Sequence, residues 1–209
     1  DMNKLKTLVI SLVLIVSSGI ASAVSVSGNA AITSDYIWRG MTQNATEVSG
    51  SVGFDLETDS GFYLGTWSGT AKFAEESGNT STLELDYYGG YSGSIGDIGY
   101  DIGFIEVTYP GAGSLDFSET YLGLDIMGVG LFFAAGDEFG DYTEISYGID
   151  AGPGSIGLSY GDYTESGDNY AIGYSIPVGD FEVSFSYHDY SNDSKASLDE
   201  DAFVVTLAM

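Results

Sequence analysis

The sequence predicts an all-β protein, an antiparallel up-and-down transmembrane β-barrel of twelve strands. Three observations predict it: apolar and polar side chains alternate with a period of two, the connections sort by length, and the chain is rich in Gly and Tyr with no Cys. Residues 180–188 show the alternation plainly: Phe181, Val183, Phe185 and Tyr187 share one face, and Glu182, Ser184, Ser186 and His188 the other. The last stretch repeats it with Phe203, Val205, Leu207 and Met209. Period two is the signature of a strand with unlike faces. A chain that crosses a bilayer with strands satisfies every backbone group only as a closed barrel.

The N-terminus reads as an export signal. Lys4 and Lys6 make a basic start, residues 8–16 are apolar apart from Ser11, and Ala21-Ser22-Ala23 is a small-x-small cleavage site. The apolar run, interrupted at Ser11, is shorter than the ~20 residues of a membrane helix, so residues 1–23 are expected to be removed and 24–209 to form one domain. Net charge is −26, with five Lys and Arg against 31 Asp and Glu. Nucleic acid is excluded as a partner, because phosphate binding needs clustered bases. The absence of Cys excludes a disulfide scaffold, a thiolate metal site and a Cys nucleophile.

Twelve segments carry the strand pattern, at 24–40, 46–58, 61–70, 81–93, 97–109, 115–126, 128–136, 141–151, 155–163, 169–177, 180–190 and 200–209. With the first strand running outward, the periplasmic turns fall at Asp59-Ser60, 94–96, Met127-Gly128, Pro153-Gly154 and Val178-Gly179, all short and rich in turn residues. The other connections, at 41–45, 71–80, 110–114, 137–140, 164–168 and 191–199, are mostly longer and acidic. Alternation of short inner turns with longer outer loops is a property of outer-membrane barrels. A soluble secreted β-sandwich would alternate its faces in the same way, but has no reason to sort its loops by parity.

Parity assigns the faces. Leu83, Leu85, Tyr87 and Tyr91 lie opposite Glu84 and Asp86; Leu122, Leu124 and Ile126 opposite Glu119, Tyr121 and Asp125; Ile145, Tyr147 and Ile149 opposite Glu144 and Asp150. Tyr36 and Trp38 share the parity of Val26 and Ile32, which puts them with Tyr187 in an outer aromatic girdle and turns Asp35 and Arg39 to the lumen. The pattern slips once: Ile98, Tyr100, Ile102 and Phe104 are in phase, whereas Ile105, Val107 and Tyr109 have the opposite parity. A β-bulge near Phe104 would account for this.

Several strings, in order along the chain, resemble the TorF family of bacterial outer-membrane proteins: SDYIWRGMTQ at 34–43, GFYLGTW at 61–67, ELDYYGGY at 84–91, Tyr109-Pro110 and ETY at 119–121. The resemblance implies a single outer-membrane barrel with a pore role and no catalytic residues. It departs at the C-terminus, where barrels of this kind carry an aromatic residue and this chain has Met209.

The expected function is passive diffusion of small solutes with a cation preference. The inward set Asp35, Glu84, Asp86, Asp101, Glu119, Asp125, Glu144, Asp150 and Glu182, opposed by Arg39, would line such a pore, and rings of acids select cations. The alternative is a lumen packed shut by these same groups, since small barrels fill with side chains and large ones hold water. Arg39 either sets a constriction for anionic groups or pairs with Asp35 or another inward acid. A plugged barrel could instead serve at the surface through acid clusters at Asp137-Glu138 with Asp141 and at Asp199-Glu200-Asp201, binding divalent cations or bridging to lipopolysaccharide. A lipid hydrolase or acyltransferase would use His188, the one His, with a nearby Ser; no nucleophile motif surrounds any Ser, and the chain is expected to be no enzyme, with no cofactor and no resident metal. The expected partners are outer-membrane lipid and lipopolysaccharide, the passing cations or solutes, and chaperones and assembly machinery during biogenesis.

Overall fold

The computed structural model describes residues 24–136, 140–164 and 166–209. The expected export signal and the pair Asp137-Glu138 lie outside the described residues. Fourteen strands follow in order: β1 Val24–Thr33, β2 Ile37–Trp38, β3 Met41–Thr42, β4 Ser49–Thr58, β5 Phe62–Ala74, β6 Thr80–Ile95, β7 Ile98–Thr108, β8 Phe117–Ile126, β9 Val129–Gly136, β10 Tyr142–Ala151, β11 Gly154–Tyr163, β12 Gly167–Val178, β13 Phe181–Asn192 and β14 Glu200–Ala208. Twelve of them close an antiparallel barrel in which each pairs with its neighbour in sequence and β14 returns to β1; β2 and β3 pair only with each other. The expected count of twelve wall strands stands. The first is shorter than expected: the wall strand stops at Thr33, and residues 34–48 leave the wall before β4 begins.

Connections sort as the sequence implied. Those after β4, β6, β8, β10 and β12 span two or three residues, and Gly61, Gly96, Gly128, Gly152 and Gly179 in them all have positive φ. The other end carries the longer connections at 34–48, 75–79 and 109–116. The outer face of the wall is apolar and exposed along its length, with Phe54, Phe62, Ile102, Ile145, Ile172 and Phe203 among its residues. An apolar belt of this extent on every strand needs a lipid-like surround rather than water.

The anticipated bulge near Phe104 is absent. The β6–β7 ladder runs without a shift from Leu85↔Thr108 to Ile95↔Ile98, and β7 pairs β8 as evenly. Ile105 and Val107 change parity because they face inward: Val107 and Tyr109 are buried with Ala71, Ala112 and Phe117, and Phe73, Ile105 and Leu115 pack against that cluster. The loop at 109–116 folds over the barrel mouth and gives these apolar side chains something to bury against. The bulge lies in β5 instead, between Thr70↔Leu83 and Phe73↔Ser81.

Candidate functional site: a hairpin plug in an acidic lumen

Residues 34–48 fold back into the barrel at its long-loop end. Ile37 pairs with Thr42 and Trp38 with Met41, leaving Arg39 and Gly40 as a two-residue turn with φ of +48° and +88°. Positive φ at both central residues is the tight hairpin turn whose twist matches its strands, and it favours Gly. Gly40 is also required by space: a Cβ there would lie 2.7 Å from the Asn169 Cβ and 3.0 Å from that of Tyr190, on β12 and β13. The hairpin tip therefore presses against β12 and β13.

Four sets of contacts fasten it. The Arg39 guanidinium donates to both carboxylate oxygens of Glu119 on β8, Nη1 to Oε1 at 2.7 Å and Nη2 to Oε2 at 2.6 Å, and Nη1 also donates to the Tyr163 hydroxyl at 2.6 Å. Its plane sits 4.2 Å from the Tyr142 ring centre and 4.6 Å from that of Trp38. This is the bidentate, ring-stacked geometry that Arg supplies and Lys cannot. Tyr36 donates to Glu84 Oε1 at 2.7 Å, with its ring 5.2 Å from Trp67. The Thr42 amide donates to Glu200 Oε2 on β14 at 2.7 Å. The Lys72 amide donates to the Gln43 carbonyl at 2.8 Å, which the bulge in β5 permits by releasing that N–H from the ladder. At the rim the Lys72 ammonium pairs with Glu47 at 2.8 Å. Two carboxylate oxygens in this region, Asp35 Oδ2 and Asp86 Oδ1, are buried without a hydrogen-bond partner.

Inward-facing residues show an axial gradient. At the long-loop end Ser49, Glu84, Asp86, Glu119, Tyr142 and Tyr163 are all buried beneath the hairpin. At the short-turn end, inward Glu57, Asp125, Asp150 and Glu182 are exposed, as are inward Ser27, Ser155 and Gly157. The lumen is thus a solvent-exposed vestibule at one end and packed at the other. Midway, tyrosines brace the acids: Tyr63 donates to Asp101 at 2.6 Å while Tyr121 donates to Tyr63 at 2.6 Å, Tyr88 donates to Asp55 at 2.5 Å, and the Tyr142 hydroxyl lies 2.9 Å from Glu144.

The wall is lopsided. Away from the plug end, where Tyr163, His188 and Tyr190 also turn inward, its large inward side chains, such as Tyr63, Trp67, Tyr88 and Phe132, come from β5 to β10. Across the lumen the β11–β13 arc turns in Gly157, Ser159, Ala171, Gly173, Ser184 and Ser186, as the ladder registers Gly157↔Gly173, Ser159↔Ala171 and Gly173↔Ser186 fix. Among the described residues Arg39 is the single Lys or Arg inside the barrel, and Glu119 neutralises it.

Several expected placements change. Tyr36 and Trp38 are not in the outer girdle; they belong to the plug, because the chain leaves the wall at Thr33 and strand parity no longer applies. Asp35 too sits in the plug, where it accepts from Thr42 Oγ1 at 2.7 Å; Arg39 pairs across the lumen with Glu119 rather than locally with Asp35. Tyr187 stands on the outer face, its ring 6.1 Å from that of Tyr170. His188 faces inward, with Nε2 2.9 Å from Ser186 Oγ. Asp199 takes the Asn192 amide at 2.9 Å, and Glu200 holds Thr42, so this acid cluster is engaged within the fold. Asp55 and Glu57 line the lumen unanticipated; their alternation with Phe54 and Leu56 was the signal for them.

Outside the wall, Glu75 ties two loops together. It accepts from Ser77 Oγ at 2.5 Å, Asn79 Nδ2 at 2.8 Å and the Ser114 amide at 2.9 Å. These donors hold its carboxyl at about 2, below the usual 4.5.

Fold and interior together define a membrane-type β-barrel with an inward-folded plug. The chain belongs to the family described as bacterial protein of unknown function (Gcw_chp), whose model matches residues 17–204. No curated protein matches. Among solved structures, the outer membrane protein OpdK from Pseudomonas aeruginosa is similar at 14% identity, over 88% of this chain and 60% of that one, with a TM-score of 0.40. The structure of OpdK with vanillate is similar at 13% identity, over 78% and 56%, with a TM-score of 0.37. This chain therefore spans less than two thirds of the length of those proteins.

Proposed function

We propose that the protein is an outer-membrane channel of the porin type that passes small solutes and prefers cations. The observation that carries the reading is the vestibule: Glu57, Asp125, Asp150 and Glu182 are inward and exposed, and among the described residues no inward Lys or Arg opposes them except the neutralised Arg39. Such a mouth raises the local concentration of cations and repels anions. The apolar outer face, the export signal read from residues 1–23 and the resemblance to the TorF family support placement in the outer membrane, with the short turns toward the periplasm. In that orientation the outer face meets lipid and, on its outer leaflet, lipopolysaccharide, and the chain reaches the membrane through periplasmic chaperones and the barrel-assembly machinery.

A second reading, a barrel closed for good, draws on the packing of the plug end. Planar-bilayer recording of the refolded protein under a salt gradient separates the two. Discrete steps with a cation-selective reversal potential are expected, with selectivity that weakens as salt shortens the Debye length from ~10 Å at 0.1 M to ~3 Å at 1 M. Anion selectivity overturns the role given to the vestibule acids.

A further inference from the structure

We propose that residues 35–47 are the gate of this channel, with Arg39 as its latch: seated, the hairpin closes the long-loop end, and withdrawn, it opens a path along the small-residue arc. The proposal rests on the channel reading above. Three features of the fold point to a moving part. First, the hairpin is not needed by the wall. β1 and β4 pair without interruption from Val24↔Thr58 to Thr33↔Ser49, and Ser34 is held to Val205 by two hydrogen bonds of its own. The hairpin is the connection of a finished strand pair, so it can leave the lumen without breaking a ladder bond.

Second, its fastenings are few and exchangeable. Apart from Met41 against Tyr142 and Tyr163 and the stacked rings of Tyr36 and Trp38, it is held by hydrogen bonds and ion pairs to Glu84, Glu119, Tyr163, Lys72 and Glu200. Water can satisfy each of these when the hairpin withdraws.

Third, the seated state carries unmet demands. Asp35 Oδ2 and Asp86 Oδ1 have no partner there, and among the described residues no Lys or Arg pairs with the buried carboxylates Glu84 and Asp86. Withdrawal relieves both by hydration. Unpaired polar groups concentrated beneath one segment favour its departure. What the open state gains is room: with the hairpin out, the tyrosine braces hug the β5–β8 side and the serine and glycine arc faces them across the lumen.

The test uses three single-channel recordings of heat-modifiable, folded protein. In one variant residues 35–47 are replaced by Asn-Gly. In the second, Gly40→Cys and Asn169→Cys place two sulfurs where the tip meets the wall, and the bond holds the tip there once it moves back from the 2.7 Å Cβ approach to the ~3.8 Å of a disulfide; the chain has no other Cys, and disulfide formation is read by mass. In the third, Arg39→Gln removes the latch. The proposal expects steady current from the shortened variant, current in the disulfide variant only after reductant, and a rise of at least about tenfold in open fraction for Arg39→Gln. If the shortened variant carries no current, the channel reading itself fails. If it conducts while the oxidised disulfide variant and Arg39→Gln both gate like the parent, the channel stands and the gate is refuted. Where the disulfide does not form, Arg39→Gln alone decides in the same way.

Discussion

Replacing Glu119 by Gln keeps the side-chain volume and removes its charge, leaving the Arg39 guanidinium, 8% exposed, without its counter-ion. Removing one partner of a buried ion pair usually costs about 3–5 kcal/mol. Here the Gln amide oxygen can still accept from the guanidinium in place of one carboxylate oxygen, which returns roughly 0.5–1.5 kcal/mol. A net loss of about 2–3 kcal/mol is expected for Glu119→Gln, a similar one for Arg39→Met, and little further loss when the two are combined. The coupling energy of the cycle is therefore about 2–3 kcal/mol. Urea unfolding in lipid vesicles, followed by Trp fluorescence, measures it. The two Trp residues report different parts, Trp38 in the hairpin and Trp67 on the wall, so variants retaining one at a time resolve whether the hairpin leaves before the barrel opens. Losses that simply add, within about 0.5 kcal/mol, would refute the pair as the fastening of the hairpin. Coincident transitions at Trp38 and Trp67 in every variant would refute the independence of hairpin and wall.

Gly40→Ala should destabilise the seated hairpin by about 1–3 kcal/mol, because φ is +88° and the new Cβ meets Asn169 at 2.7 Å; a Trp38 signal unchanged in denaturant would contradict this. Glu57→Gln with Glu182→Gln should move the reversal potential toward zero at low salt and have little effect at ~1 M salt, where exposed charges are screened. Glu75 carries a pH signature: its carboxyl titrates at about 2 when its loop is folded, below the usual 4.5. The stabilisation it gives is full above the usual value and disappears as pH falls from about 4.5 to about 2, so proteolysis in the 110–116 loop should accelerate across that window in the parent and be flat in Glu75→Gln. Tyr63→Phe removes the donor to Asp101 and the acceptor for Tyr121 at once and should lower the melting temperature measurably in detergent, whereas Tyr187→Phe, on the outer face, should not.

Much of the wall was legible because its physics is local. Alternation in β6, β8, β10 and β13 tells inward from outward whatever the tertiary structure, and turn residues after β4, β8 and β12 mark the short-turn end. The plug was not legible for a related reason: Ile32, Tyr36 and Trp38 keep an even spacing through a point where the chain leaves the sheet, and parity carries no mark of that departure. What could have betrayed it was Arg39-Gly40, a positive-φ pair between short apolar runs, a hairpin signal inside what read as one long strand. The parity break at Ile105 was visible, but its cause was not. An inward apolar cluster and a bulge leave the same trace in one strand, and only Phe73 and Leu115 arriving from other segments distinguish them.

The arc of Gly, Ser and Ala on β11 to β13 has a consequence for how such a barrel can change. Bore is usually altered by adding strands, which demands a new closure of the whole sheet. Here one side of the bore is set by residues with almost no side chain, whose alternating neighbours meet lipid. Exchanging Ser159 or Ser184 for a larger residue narrows the passage at one depth, with strand number, register and outer face unchanged. The passage can be retailored one position at a time, in steps no larger than a side chain.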